Sequence, residues 1–197
     1  ARLNAPGRFL EEFDFRLEVE LAGSLAKSTA ARAQLTDAFI NWNRHAEANV
    51  RVGQFKTPFG FEQLYADPKL PSIERSLAND RLTLSRQVGL QVSGDLFDKR
   101  LSYAAGAFNG NGTNNNFNDN NHFAWVGRLT AEAWHGRLLG VASNAHLGLS
   151  GYASEDTALA LADLGLDSTP TTADRDGLFT GKRTGFGADA EFVAGPL

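Results

Sequence analysis

Cysteine is absent from the 197 residues, which removes any disulfide framework, thiolate nucleophile or Cys-based zinc or iron–sulfur site. No window of about 18 apolar residues exists, so no transmembrane helix can be drawn. The most apolar uncharged stretch, Leu138 to Ser154, is broken by Gly140, Gly148, Gly151, Asn144 and His146. Basic charge is short as well. A formal net charge of -4 and a pI near 5.6 leave no basic stripe to release counterions, which argues against nucleic acid as a partner. The first twenty residues are charged along their length and lack an apolar h-region, so no signal peptide is read and the chain is either cytoplasmic or a mature exported segment. Paired carboxylates, a Ser-His-Asp set and a phosphate-cradling glycine loop are all missing at usable spacing. His45, His122, His135 and His146 have no metal-ligand spacing and read as turn or wall residues. The expectation is no catalytic centre, no cofactor and no metal.

What is present leans toward sheet: 42% hydrophobic residues, 20 glycines, only 6 prolines and 14 phenylalanines suit strands joined by tight turns. In Phe13-Asp14-Phe15-Arg16-Leu17-Glu18-Val19-Glu20-Leu21 every odd position is apolar and every even one charged, the period of a strand. A wholly ionised face beside an aliphatic and aromatic one suits water on one side and lipid on the other. The alternation recurs at Asp37 to Asn43, Asn49 to Gly53, Val88 to Ser93, Leu101 to Phe108, Phe123 to Ala133, Ala145 to Ala153 and Phe186 to Phe192, about eight strands in all. Val88 to Ser93 and Leu101 to Phe108 pair as a hairpin.

The connectors sort by length. Short links at 44–48 and 96–99 and a medium one at 134–144 alternate with long ones at 22–34, 57–86, 109–121 and 154–183, the pattern of tight periplasmic turns and extended external loops. Within the second long connector, Ser72 to Asp80 offers a serine cap and a short helix. Asn109 to Asn121 holds eight asparagines in thirteen residues and reads as a flexible polar loop. No internal domain boundary is found. The fold class is therefore all-β, an antiparallel transmembrane β-barrel, with residues 1–197 forming one barrel segment.

Parity then assigns side chains. Arg16, Arg51 and Arg128 fall on the polar face with Asp14, Glu18, Glu20, Asp37, Glu132, Asp189 and Glu191. The arginines form either a basic ladder along a channel or cross-strand pairs that brace its wall. Seven acids against three arginines departs from what an anion-selective lumen wants, although local field rather than net charge decides selectivity. Candidate rim and loop charges are Lys56, Lys69, Arg75, Arg81 and Arg86. Lys56 carries the apolar parity of Val50 and Val52 unless a bulge re-aims it. Trp42, Tyr103 and Trp125 suit aromatic girdles at the membrane interfaces, with ordinary sheet packing as the alternative; Trp134 has inward parity.

Val52-Gly53-Gln54-Phe55-Lys56-Thr57-Pro58-Phe59-Gly60 resembles the phosphate-selective porin O and P family of Gram-negative outer membranes. Phe13 to Glu18, Asp37 to Ile40, Ile73 to Leu77, Gly89 to Asp95, Leu101 to Gly110, Gly187 to Glu191 and Gly195-Pro196 extend the likeness in order and spacing. The resemblance implies a 16-stranded barrel, usually a homotrimer, passing anions such as phosphate by passive diffusion. It also implies contact with outer-membrane lipid and lipopolysaccharide, with small ions or solutes in transit. This chain is about half that size. Ala1 to Pro6 resembles the tail of a preceding strand, so the chain reads as an internal portion of a longer porin. Two rivals remain. One is a closed eight-stranded barrel with a structural or adhesive role, against which Gly53, Gly89, Gly106 and Gly148 count because they leave a small lumen unfilled. The other is a soluble ligand-binding barrel, which needs its apolar face turned inward.

Overall fold

The computed structural model describes residues 2–21, 33–65, 75–115, 118–160 and 178–195. They form one antiparallel sheet of nine strands in chain order: β1 (Arg2–Phe9), β2 (Phe13–Leu21), β3 (Ala33–His45), β4 (Ala48–Lys56), β5 (Arg86–Leu96), β6 (Leu101–Phe108), β7 (Ala124–Leu138), β8 (Val141–Ala160) and β9 (Leu178–Ala194). Two short helices, α1 (Phe61–Leu64) and α2 (Leu77–Leu82), lie between β4 and β5. Among the described residues β1 and β9 are the two edges of the sheet.

The expectation of about eight strands is corrected to nine. Residues 2–9 show no clean alternation, yet they pair in full register with β2, from Arg2 opposite Glu20 to Phe9 opposite Phe13. Pro6 is tolerated there because an edge strand can lack an N–H. The connector expected at 134–144 shrinks to Leu139-Gly140, both at positive φ of 51° and 84°, as a two-residue hairpin turn requires. The loop expected over 154–183 is shorter too, since β8 runs to Ala160 and β9 begins at Leu178. With those corrections the four short connections all fall at one end of the sheet and the four long ones at the other.

Register carries one row of side chains across the sheet: Asp14, Asn41, Arg51, Gln91, Gly106, Val126, Tyr152 and Gly185 are successive cross-strand partners. The next row, Phe15, Ile40, Val52, Leu90, Ala107, Trp125, Ala153 and Thr184, faces the other way. Leu17, Ile40, Val52, Leu90, Leu129, Leu149 and Phe186 are exposed, while Asp37, Asn41, Gln91, Arg128, Ser150 and Asp156 are buried. This inside-out distribution overturns the soluble-barrel alternative, and it is what a lipid-facing outer surface demands. A charge on that surface separates the two cases. Leu149→Arg, exposed in the structure, is expected to lower the folding free energy in vesicles by about 2–4 kcal/mol, read from urea titration; a water-facing leucine would tolerate the change within about 0.5 kcal/mol.

Bulges re-aim particular side chains. An irregularity between Glu132 and Trp134 places Trp134 opposite Ala145, so it joins the outer face at 50% exposure, against the inward parity expected. Another between Glu18 and Val19 leaves Thr36 without a register partner, and its hydroxyl donates to the backbone and side chain of Glu18 at 3.0 Å.

Candidate functional site

The inner face carries the charges expected on it, and the structure fixes their partners. Arg128 donates both terminal nitrogens to Asp189 at 2.7 Å, a fork matched to a carboxylate. The pair crosses β8 directly above Gly148, where an added Cβ would stand 2.2 Å from Asp189 Oδ1. Asp37 receives Arg86 at 2.8 Å and has Arg16 at 4.0 Å. Arg8 binds Asp14 at 2.7 Å, which also accepts from Asn43. Glu20 meets Arg2 at 3.5 Å, Glu132 contacts His135 at 2.9 Å, and Glu191 accepts from Tyr65. Arg51 differs. Its guanidinium lies over the rings of Phe39 at 4.5 Å and Phe55 at 5.3 Å, and among the described residues no carboxylate forms an ion pair with it. Arg16 stands on the other side of Phe39 at 5.9 Å.

Asp156 and Arg183 form an ion pair at 2.8 Å, supported by Ser154 at 3.2 Å, that the sequence reading misses because these residues lie in a segment read as loop. The signal was available: Ser154 and Asp156 continue the parity of Ser150, and Arg183 that of Asp189.

The glycines expected to leave the lumen unfilled are instead seats for larger groups. Phe108, fully buried, lies against both Gly89 and Gly106, where Cβ atoms would meet its ring at 2.5 and 2.8 Å. With Phe39, Phe55, Phe59, Leu84, Ala124, Val126 and Tyr152 it makes an apolar cluster on the inner face. Edge-to-face ring pairs join Phe39 to Phe55, Phe55 to Phe108 and Phe59 to Tyr152, an arrangement the ring quadrupole favours.

That cluster exists because the long connection between β4 and β5 folds inward over the wall. The Phe59 and Tyr152 rings are 5.0 Å apart, the Gly60 amide donates to Ser150 Oγ at 3.2 Å, and the Tyr152 hydroxyl donates to the Leu82 carbonyl at 3.1 Å. The Tyr65 hydroxyl reaches Glu191 at 3.0 Å; accepting that proton donor, the carboxylate holds the phenol above its ordinary pKa. Lys56, whose role parity left open, donates to the Tyr65 carbonyl at 3.0 Å, as does Arg75. The helix expected from Ser72 is α2, and its cap is Ser76, which accepts from the Asn79 amide at 3.1 Å. Arg81 sits in the last turn of α2. Ser72 and Lys69 lie outside the described residues.

The asparagine-rich connection is tied down rather than loose. The Asn114 amide donates to Gln54 at 2.7 Å, Gly112 donates to Gln87 at 3.0 Å, and Asn120 donates to the Glu155 carbonyl at 2.6 Å. Composition misreads it because the same short amide side chains that favour turns also bridge neighbouring backbone. Of the expected girdle residues, Trp42 donates to Glu12 at 3.1 Å and Tyr103 to the Glu47 carbonyl at 2.9 Å, both beside short turns. Trp125, 62% exposed, stands toward the long-connection end.

An inside-out nine-stranded sheet, charged within and sorted in its loops, invites comparison with known families. Residues 1–164 match the model of the family described as phosphate-selective porin O and P. The chain belongs to that family. No curated protein matches it. The family is one of outer-membrane porins, channels rather than enzymes, and its place is the Gram-negative outer membrane. In a porin of this family the row from Asp14 to Gly185 is the side turned from lipid, and the β4–β5 connection lies across it.

Proposed function

We propose that this porin chain supplies part of the wall of a passive diffusion channel for small hydrophilic ions, with the inward β4–β5 connection as its constriction. The observation that carries the reading is the pairing of an exposed apolar outer face with a charged inner one that a loop crosses. β1 and β9 find further strands of the same wall in the complete polypeptide, which assembles as a homotrimer in contact with lipid and lipopolysaccharide. Trp42, Tyr103, Trp125 and Trp134 settle at the two lipid interfaces, where amphipathic rings are favoured. Anions such as phosphate are the preferred solutes. Most arginines on the inner face are already matched with carboxylates, so the preference falls on Arg51, beside aromatic rings, and on Arg16, whose nearest carboxylate is 4.0 Å away.

Single-channel recording of the complete polypeptide in a planar bilayer tests both levels. Stepwise conductance with a reversal potential on the anion side is expected. Arg51→Glu is expected to move the anion-to-cation permeability ratio toward cations on the order of tenfold, the Coulomb effect of two charge units about 5 Å from a solvated ion. Absence of conducting steps rejects the channel, and a cation-side reversal potential in the unmodified protein rejects the anion preference.

A further inference from the structure

We propose that the hydrogen bond from Tyr65 to Glu191 is the latch that fixes the inward loop across the passage, which makes Tyr65 a positioning residue for the constriction. The proposal rests on the reading of this chain as a channel wall. Three kinds of contact converge on Tyr65. Its backbone carbonyl accepts from Lys56 and Arg75 at 3.0 Å each, drawing together the end of β4 and the segment that leads into α2. Its ring lies 4.5 Å from that of Phe61, at the far end of α1. Its hydroxyl spans to Glu191 Oε1 at 3.0 Å, 126 residues away in sequence.

The direction of that last contact gives it leverage. Phe59 and Gly60 anchor the start of the loop on Tyr152 and Ser150 of β8, and Phe59 lies against Gly187 of β9. Tyr65 carries the loop four residues further along β9, about 13 Å toward the short-turn end of the sheet. The latch therefore sets how deep α1 hangs in the passage. A pivot is also in place. Gly60 has φ of +71° and open space where a Cβ would stand, so without the phenol contact α1 is free to swing about its own first residue. A phenol donating to a carboxylate is a charge-assisted bond, stronger than a neutral one, and its loss raises the released population on the order of tenfold.

The complete polypeptide is compared with Tyr65→Phe, Glu191→Ala, the double variant and Glu191→Gln. Two readouts are used: open-channel current noise in planar bilayers, and amide hydrogen exchange of residues 58–65 in detergent micelles. Tyr65→Phe and Glu191→Ala are each expected to raise exchange on the order of tenfold and to raise the noise, with the double variant no further changed than either single one. Glu191→Gln, whose side-chain carbonyl still accepts, is expected to keep most of the protection. Heat-modifiable gel migration is expected to stay as in the unmodified protein, reporting an intact wall. Wild-type exchange in Tyr65→Phe, or effects that add in the double variant, overturns the latch. If the unmodified protein conducts no ions the channel reading falls, while the exchange comparison still decides whether Tyr65 fixes the loop.

Discussion

Gly53→Val is expected to abolish assembly of the wall. Gly53 sits at φ of +129°, and a Cβ built there would stand 2.2 Å from the Ala38 carbonyl oxygen and 2.7 Å from Phe39 Cα. Both obstacles are backbone, so no rotamer change relieves them. β3 and β4 would have to separate where Phe39 pairs with Gly53, and the ring stack of Phe39 on Phe55 would separate with them. The destabilisation is expected to exceed about 4 kcal/mol, the range reserved for severe backbone and packing faults. Heat-modifiable migration on gels checks it, with loss of the fast-migrating folded band as the result. Gly60→Ala is the control: φ is +71° but nothing lies within 4 Å of the added Cβ, so only the left-handed strain of about 1–2 kcal/mol applies. Equal behaviour of the two variants would contradict the account.

The second large effect concerns the fork between Arg128 and Asp189. Arg128 is 8% exposed, and its removal strands Asp189 on the wall. Breaking a buried pair costs about 3–5 kcal/mol. Asp189 keeps 22% of its side chain accessible, so Arg128→Ala is expected near the lower end, about 3 kcal/mol. Deleting both partners removes the stranded charge, and Arg128→Ala/Asp189→Ala is expected to be more stable than Arg128→Ala alone. Urea titration in vesicles, followed by tryptophan fluorescence, decides the order. A double variant less stable than the single would mean the pair acts through packing over Gly148 rather than through charge.

Much of this wall is legible in the sequence, and the places where it is not share causes. The Phe13 to Leu21 alternation is unmistakable because lipid and water meet opposite faces of every residue in it. That signal reports the solvent boundary and not the hydrogen-bonded ladder. Where β8 and β9 leave the apolar band, Glu155, Thr157, Lys182 and Thr184 occupy the outer face; the alternation fades although pairing continues, and the strands were read short. β1 was missed for a related reason, since Ala5-Pro6-Gly7 offers no contrast between faces. Trp134 was misplaced because a one-residue bulge inverts every parity beyond it. The inward loop left its own trace in Gly89, Gly106 and Gly148. A glycine marks a close approach without naming what approaches, and an open lumen and a seated phenylalanine call for the same residue.

The length of β8 has a bearing on how solutes arrive. Its outward apolar positions run from Ala145 to Ala153, a span of about 30 Å along the strand and about 23 Å along the barrel axis at the usual tilt. Residues 155–160 continue the ladder with β9 for about 15 Å more of height. Headgroups occupy about 6 Å of that, so the mouth on this side stands roughly one Debye length above the lipid surface at physiological salt. At that height the repulsion of a negatively charged leaflet has fallen to about a third. An anion collected at the rim is thus sorted by the charges of the protein and largely spared those of the membrane it is about to cross.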